Sequence, residues 1–374
     1  MRVTDGWWID LLDADPVPWL LASDEPAARW ITLTRVLGRG DDDPQVVAAR
    51  AAVLADAATA DLLGRLGDWE AGDAIGGHNS PRYLPNLLVL LDDFGVRRGD
   101  DPRLETVLQA MLRHQSDDGR FLSLASWRGM EAPVWAALPC DAHAVADALV
   151  RFGAVSDPRV HAALEQISAG LAGTAQGLGW LCAPDPDVAF RGPGRRADVC
   201  PQVTVEALRV FARVPAAERP AGLLEAARTL LGLWRDRGER RPYMFGHGAQ
   251  FKAGKWPATW YCALTLLEAL GGCAALWSGV ARAADRRAVA ELCACLIAYA
   301  VSPDGTVTPR SCYKGFEQHS FGQKKRPSPF ATARVLAVLA PFADLAPDVR
   351  AVDPRALGSA KGGTGAPLPP KTGR

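Results

Sequence analysis

The sequence predicts an all-α chain folded as an α/α toroid: six helical hairpins, whose helices form inner and outer rings, with essentially no sheet. Three observations carry this expectation. Helix starts recur at Pro26, Pro81, Pro201, Pro257 and Pro329, with Ala142 in the proline slot of the third unit, at spacings of 55 to 72 residues. Proline suits a first helical turn, where its missing N–H would have no partner anyway. An apolar stretch follows each anchor, and between anchors lies a second helical pattern with Arg, Glu and Gln on one side, as a buried inner and a half-exposed outer helix require.

In chain order, the Pro26 unit runs RWITLTRVL and then, after Pro44, QVVAARAAVLADAA. The second runs YLPNLLVLL and, after Pro102, RLETVLQAMLRHQ. The third runs AVADALVRF and, after Pro158, RVHAALEQISAGL. The fourth runs TVEALRVFA and, after Pro220, AGLLEAARTLLGLW. The fifth runs WYCALTLLEAL and then Arg287 to Ala300, and the sixth runs TARVLAVLA after Pro329. Units of this length exceed the common two-helix repeats and leave room for substantial loops.

The 374 residues are 48% hydrophobic with 12 Trp, enough for one large core, so residues 1–350 are expected as one domain. Residues 351–374 are rich in Gly, Pro and Lys and are expected to be a disordered tail. No apolar run reaches the roughly 18 residues of a membrane span, and the N-terminus lacks a signal-peptide pattern. Eight cysteines without disulfide-framework spacing point to reduced thiols in a cytoplasm. A formal net charge of zero gives no global attraction for nucleic acid or membranes.

Parallel inner helices would gather their N-termini, with their partial positive charge, around one cavity mouth. His78, Cys140, Asp141, His143, Asp198, Cys200 and Trp256 are the chemistry-bearing residues near those starts, while Asp24, Ser80 and Ser328 read as ordinary caps. Two loops add charge: residues 235–256 hold six Arg or Lys against two acids, and residues 310–326 hold five against one. With Arg195, their Lys252, Lys255, Arg310 and Lys314 are expected to bind a phosphate or diphosphate. Trp180, Trp256, Trp260 and Tyr261 are expected to line the cavity, where aromatic faces can stabilise a developing carbocation or simply fill a core.

The stretch HQSDDGRF, His114 to Phe121, resembles the QxxDGxW/F loop motif of the terpenoid cyclase and protein prenyltransferase superfamily, with degenerate versions in AQGLGW at Ala175 and SPDGTV at Ser302. The resemblance spans roughly residues 20 to 345 and implies the toroid fold, isoprenoid substrates and an apolar ligand. GRRADVCP, Gly194 to Pro201, is similar to the prenyltransferase β subunit, which implies zinc held by Asp198 and Cys200 beside Arg195, and an α-subunit partner. Ala258 stands where that family's third ligand, a histidine, would be; His78, His143, His247, Cys140 and Cys262 are the possible substitutes. The DxDD acid motif of class II cyclases is absent. Asp41–Asp43, Asp92–Asp93 and Asp100–Asp101 read as helix-end caps, leaving Asp141 as the best protonating acid, with His143 to hold it. Two other functions stay open: a non-catalytic binding or scaffold protein, and a carbohydrate-active barrel using two carboxylates among Asp68, Glu70, Asp73 and Asp141.

Overall fold

The computed structural model describes residues 6–71, 77, 79–126, 131–183, 185 and 195–357, and these are mostly helical. The chain divides into two compact units: Met1–Thr59, Asp93–Gly95 and Trp234–Arg374 form unit 1, while Ala60–Asp92 and Val96–Leu233 form unit 2. The helices are α1 (Trp7–Leu12), α2 (Val17–Leu21), α3 (Pro26–Ile31), α4 (Pro44–Ala55), α5 (Ala57–Gly64), α6 (Leu84–Phe94), α7 (Pro102–Arg113), α8 (Pro139–Arg151) and α9 (Pro158–Ala169). They continue as α10 (Pro201–Ala212), α11 (Leu223–Arg235), α12 (Arg237–Arg240), α13 (Gly248–Ala253), α14 (Ala263–Leu270), α15 (Ala283–Ala300), α16 (Pro329–Leu339) and α17 (Ala346–Arg350). Beside them lie two antiparallel hairpins, β1 (Ser123–Ala125) with β2 (Val134–Ala136) and β3 (Leu171–Thr174) with β4 (Gly177–Trp180).

Proline starts α3, α10 and α16, as the periodicity predicts. In the third unit the anchor is Pro139, not Ala142, because α8 begins three residues earlier. The realignment is chemically visible. Thr204 and Thr332, each three residues past its anchor proline, accept hydrogen bonds from the backbone N–H groups of Trp180 (3.1 Å) and Val307 (2.9 Å); Ala142 holds that position in α8. Pro81, Pro220 and Pro257 sit ahead of their helices, which start at Leu84, Leu223 and Ala263. At α14 Cys262 is the N-cap, and its backbone N–H donates to Thr265 Oγ1 at 2.8 Å.

The half-exposed helices start differently, on Asp-Pro. Asp43, Asp101 and Asp157 accept from the N–H groups of Gln45 (2.7 Å), Arg103 (2.9 Å) and Arg159 (2.9 Å), each cap followed by proline at the first helical position.

The QxxDGxF loop earns its composition. The Gln115 carboxamide donates to the carbonyls of Gly119 and Arg159, both at 2.7 Å, pinning the loop to the start of α9. Gly119 adopts φ +95°, and a Cβ there would meet Ala162 at 3.0 Å. Phe121 is fully buried.

In unit 1, α3 packs on α4 and α16, and α14 on α15 and α16, around Phe94, Phe321 and Phe330, with Phe94 and Phe330 4.7 Å apart. In unit 2, α8 packs on α9 and α10, and Trp180 of β4 stacks on Phe211 of α10 at 6.5 Å. Each unit also buries ion pairs. Asp93 lies 3.0 Å from both Arg35 and Arg334, and Arg334 reaches Glu268 at 3.2 Å, all in unit 1. In unit 2, Arg151 joins Asp92 (2.7 Å) to Asp147 (3.0 Å), and Arg209 lies 3.4 Å from Asp147. The Asp92–Asp93 pair is therefore no surface cap: Asp93 is 5% exposed, and both are held by arginines. The stretch Pro329–Arg350 is long and apolar enough to cross a membrane, yet 72% of its most apolar window is buried inside the protein.

Candidate functional site

The first turn of α8 and the start of α10 bring together a polar cluster inside unit 2. Pro139 and Pro201 begin the two helices, so Cys140 and Asp141 on one and Gln202 and Glu206 on the other enter a shared interior. Asp141 is 8% exposed, Glu206 5% and Gln202 4%. The Gln202 carboxamide donates to Glu206 Oε1, and Cys140 Sγ lies 3.9 Å from Asp141 Oδ1. Tyr83, just before α6, completes the cluster; its hydroxyl shares a 2.6 Å hydrogen bond with Ser123 Oγ of β1.

The electrostatics confirm that these groups feel one another. Burial pushes the Tyr83 phenol well above its usual pKa, and the nearby Asp141, Cys140 and Glu206 add to the effect. Burial likewise drives the Cys140 thiol well up, with Asp141, Glu206 and Cys182 contributing. Cys200, the N-cap of α10, is raised by its hydrogen bond with the Cys182 thiol and by burial. An isolated antiparallel bridge between Leu181 and Val199 places these two cysteines on adjacent strands of chain. Without a metal, thiols held in this way keep their protons and are poor nucleophiles.

Asp198 lies two residues before Cys200, a third exposed and 3.8 Å from Arg195, whose own side chain is 77% exposed. Among the described residues no group of three or more His, Cys, Asp or Glu is arranged to hold a metal ion. His78 lies outside the described residues.

His143 goes elsewhere. Two residues from Asp141 on the same helix, it cannot share its face; its Nδ1 lies 3.2 Å from the carbonyl oxygen of Val203, and burial pulls its pKa down to about 4. Trp180 meets it edge-on and donates from its indole to the Ile167 carbonyl at 2.6 Å.

The remaining predicted residues belong to unit 1. Lys252 of α13 is 6% exposed, with its ammonium 3.4 Å from Tyr299 Oη and 4.5 Å above the Tyr299 ring. Lys255 lies 3.9 Å over the ring of Tyr313. Trp256 is buried, and its backbone bridges to Ser311 and Tyr313 through two 2.8 Å hydrogen bonds, so the two basic loops are joined. Trp260 packs on Tyr261 at 4.8 Å, and Tyr261 Oη donates to the Tyr243 carbonyl at 2.5 Å. Arg310 and Lys314 are exposed. His247 has its pKa lowered by burial and by Arg237, Arg241 and Lys252 around it.

No family model matches this chain, and no curated protein matches it. Among solved structures it is similar to the type II terpene cyclase MstE from Scytonema. A variant of that enzyme in complex with its substrate, geranylgeranyl dihydroxybenzoate, aligns at 15% identity and a TM-score of 0.41 over 91% of this chain and 96% of that one. The apo enzyme aligns at 15% identity and a TM-score of 0.37 over 87% and 88%.

Sequence reasoning missed Tyr83, Gln202 and Glu206. Glu206 had a signal: it is the lone acid in the otherwise apolar TVEALRVFA, on a helix whose residues from Pro201 to Phe211 are all buried. Of the carboxylates weighed for a carbohydrate site, Glu70 is tied at the surface to Arg113 (2.9 Å) and His114 (3.2 Å), and Asp68 caps its own turn by accepting from the Glu70 N–H at 2.9 Å. Asp73 lies outside the described residues.

Proposed function

We propose that this chain is an isoprenoid-processing enzyme with terpene-cyclase-like chemistry, in which the buried carboxyl groups of unit 2 supply and manage the initiating proton. The observation that carries this reading is the meeting of Asp141 and Glu206, on two different helices, in one interior shared with Tyr83 and Cys140. Protonating an alkene needs an acid held out of water, and both carboxyl groups are buried, Asp141 8% and Glu206 5% exposed. In the proposed reaction one carboxylic acid adds its proton to a carbon–carbon double bond. The tertiary cation is attacked by a second double bond to close a ring, and a proton leaves a neighbouring carbon to the conjugate base. The product is an isomer of the substrate, and no electrons are exchanged.

The six-hairpin toroid, a single domain over residues 1–350, and an aromatic cavity belong to the same proposal. So does a diphosphate held in unit 1 by Lys252, Lys255, Arg310 and Lys314, of which Arg310 and Lys314 are exposed. Prenyl transfer with zinc on Asp198 and Cys200 has less support, because no third ligand joins them among the described residues.

The test is incubation in D2O with linear C15 to C30 isoprenoids, both as diphosphates and as neutral polyenes, with mass analysis of the products. The expected result is a cyclic isomer that has gained one deuterium. Asp141→Asn or Glu206→Gln should slow turnover by about 10²- to 10⁴-fold, as loss of a general acid does. No deuterated isomer from any substrate, or full activity in both variants, overturns the reading.

A further inference from the structure

Beside the start of α8, on the side away from Asp141, unit 2 contains a cavity of about 330 Å³. Its wall is largely apolar, with Phe121, Ala142, Ile167 and Trp180 facing His143 and Gln166. That volume is at the low end of the roughly 300–1,000 Å³ typical of ligand sites. It is more than the roughly 150 Å³ of a cavity that binds benzene, so it accommodates a one-ring molecule.

The polar atoms on this wall are few, and most are engaged. The Trp180 indole N–H donates to Ile167, and the Arg120 guanidinium is tied to Asp118 at 2.8 Å. His143 is different. It is 5% exposed, and its Nδ1 is paired with the Val203 carbonyl, an acceptor, so Nδ1 carries the proton of the neutral ring. Nε2 is thereby a lone-pair acceptor, and among the described residues it has no hydrogen-bond partner. Because burial lowers the imidazole pKa to about 4, the ring stays in this acceptor form throughout the neutral range. The Gln166 carboxamide also has no side-chain hydrogen bond among the described residues. An acceptor on the wall of an apolar cavity favours a ligand that brings a donor, since covering it with an apolar group leaves it unpaired and costs affinity.

We propose that this cavity binds a small, mostly apolar molecule carrying one hydroxyl group, which donates to His143 Nε2 while its apolar body lies against Trp180 and Ile167. This site does not depend on the acid chemistry of Asp141 and Glu206, and its test does not use turnover.

The test uses phenol and fluorobenzene, close in size and differing in the donor, titrated into the full chain labelled with ¹⁵N-histidine. The His143 Nε2 resonance, assigned by its loss in His143→Leu, should move with phenol and stay fixed with fluorobenzene. The ratio of the two dissociation constants should fall about three- to tenfold in favour of fluorobenzene in His143→Leu, the worth of one neutral hydrogen bond. Ala163→Leu, which fills the cavity from α9, should abolish binding of both probes while leaving the free His143 signal in place. Should His143→Leu fail to fold, the resonance is assigned by elimination against the other five histidines, and the Ala163 variant carries the test. Equal shifts with both probes, no binding of either, or unchanged binding in Ala163→Leu overturns the proposal.

Discussion

The two units treat buried charge differently. In unit 1, Asp93 and Glu268 meet Arg35 and Arg334 between α6, α14 and α16, and Lys252 rests on the Tyr299 ring. Unit 2 has a comparable network, Asp92–Arg151–Asp147–Arg209, but adds a second polar layer at the starts of α8 and α10, built of Asp141, Glu206, Gln202, Cys140 and Tyr83. The arginine networks pair each carboxylate with guanidinium groups in short, repeated contacts, which is how a fold tolerates charge it has desolvated. The second layer gathers acids with a thiol and a phenol instead. The difference is what directs the functional proposal to unit 2.

The largest expected effect breaks the unit 1 network. Arg334→Met removes the guanidinium that reaches both Asp93 (3.0 Å) and Glu268 (3.2 Å), and removing one partner of a buried pair costs about 3–5 kcal/mol. Arg209→Met in unit 2 should cost less, because Arg151 still reaches Asp147 at 3.0 Å. Urea unfolding of the two variants measures both, and an equal or larger loss for Arg209→Met removes the claimed parallel between the networks.

What was legible in the sequence follows the same division. Proline and Asp-Pro starts act through their own backbone, so Pro26, Pro44, Pro102, Pro158, Pro201 and Pro329 could be placed from local chemistry alone. The third anchor lies at Pro139, three residues before Ala142, where the same local chemistry marks the helix start. Which way a side chain faces was harder to read. Asp92–Asp93 at the end of an apolar run looks like a cap, and only the arrival of Arg151, Arg35 and Arg334 from distant positions shows it to be core. Glu206 looks like the polar edge of an amphipathic helix until α10 is seen to be buried on every side. Asp141 and Cys140 were found because they flank a helix start; Tyr83 was not, because a tyrosine beside an apolar run is usually packing.

A second prediction sharpens the contrast within unit 2 between the acid cluster and His143. The folded-state pKa of His143 is about 4, below the roughly 6.5 of an exposed imidazole. The unfolded chain therefore binds the proton more readily. The resulting stability is fully present above about pH 6.5 and is lost as pH falls toward 4, by roughly 3 kcal/mol in total. His143→Leu should flatten that part of the stability–pH curve. An unchanged slope between pH 6.5 and 4 in His143→Leu shows that the ring is not buried neutral.

The smallest effect concerns a threonine device that recurs in both units. Thr332 in unit 1 and Thr204 in unit 2, each three residues past an anchor proline, accept the backbone N–H of the incoming loop at 2.9 and 3.1 Å. Valine at either site keeps the shape and removes the acceptor, leaving a buried N–H unsatisfied at a cost of about 1–2 kcal/mol. Both hydroxyls are fully buried, Thr204 and Thr332 being 0% exposed, so water cannot step in as a substitute. Thermal unfolding of Thr332→Val and Thr204→Val should give similar losses despite the different chemistry of the surrounding units. Hydrogen exchange should localise each loss to a single amide, Val307 in one variant and Trp180 in the other. A loss in one variant with none in the other would mean that the repeated threonine is a coincidence of sequence, and the realignment of the third unit on Pro139 would then rest on its helix start alone.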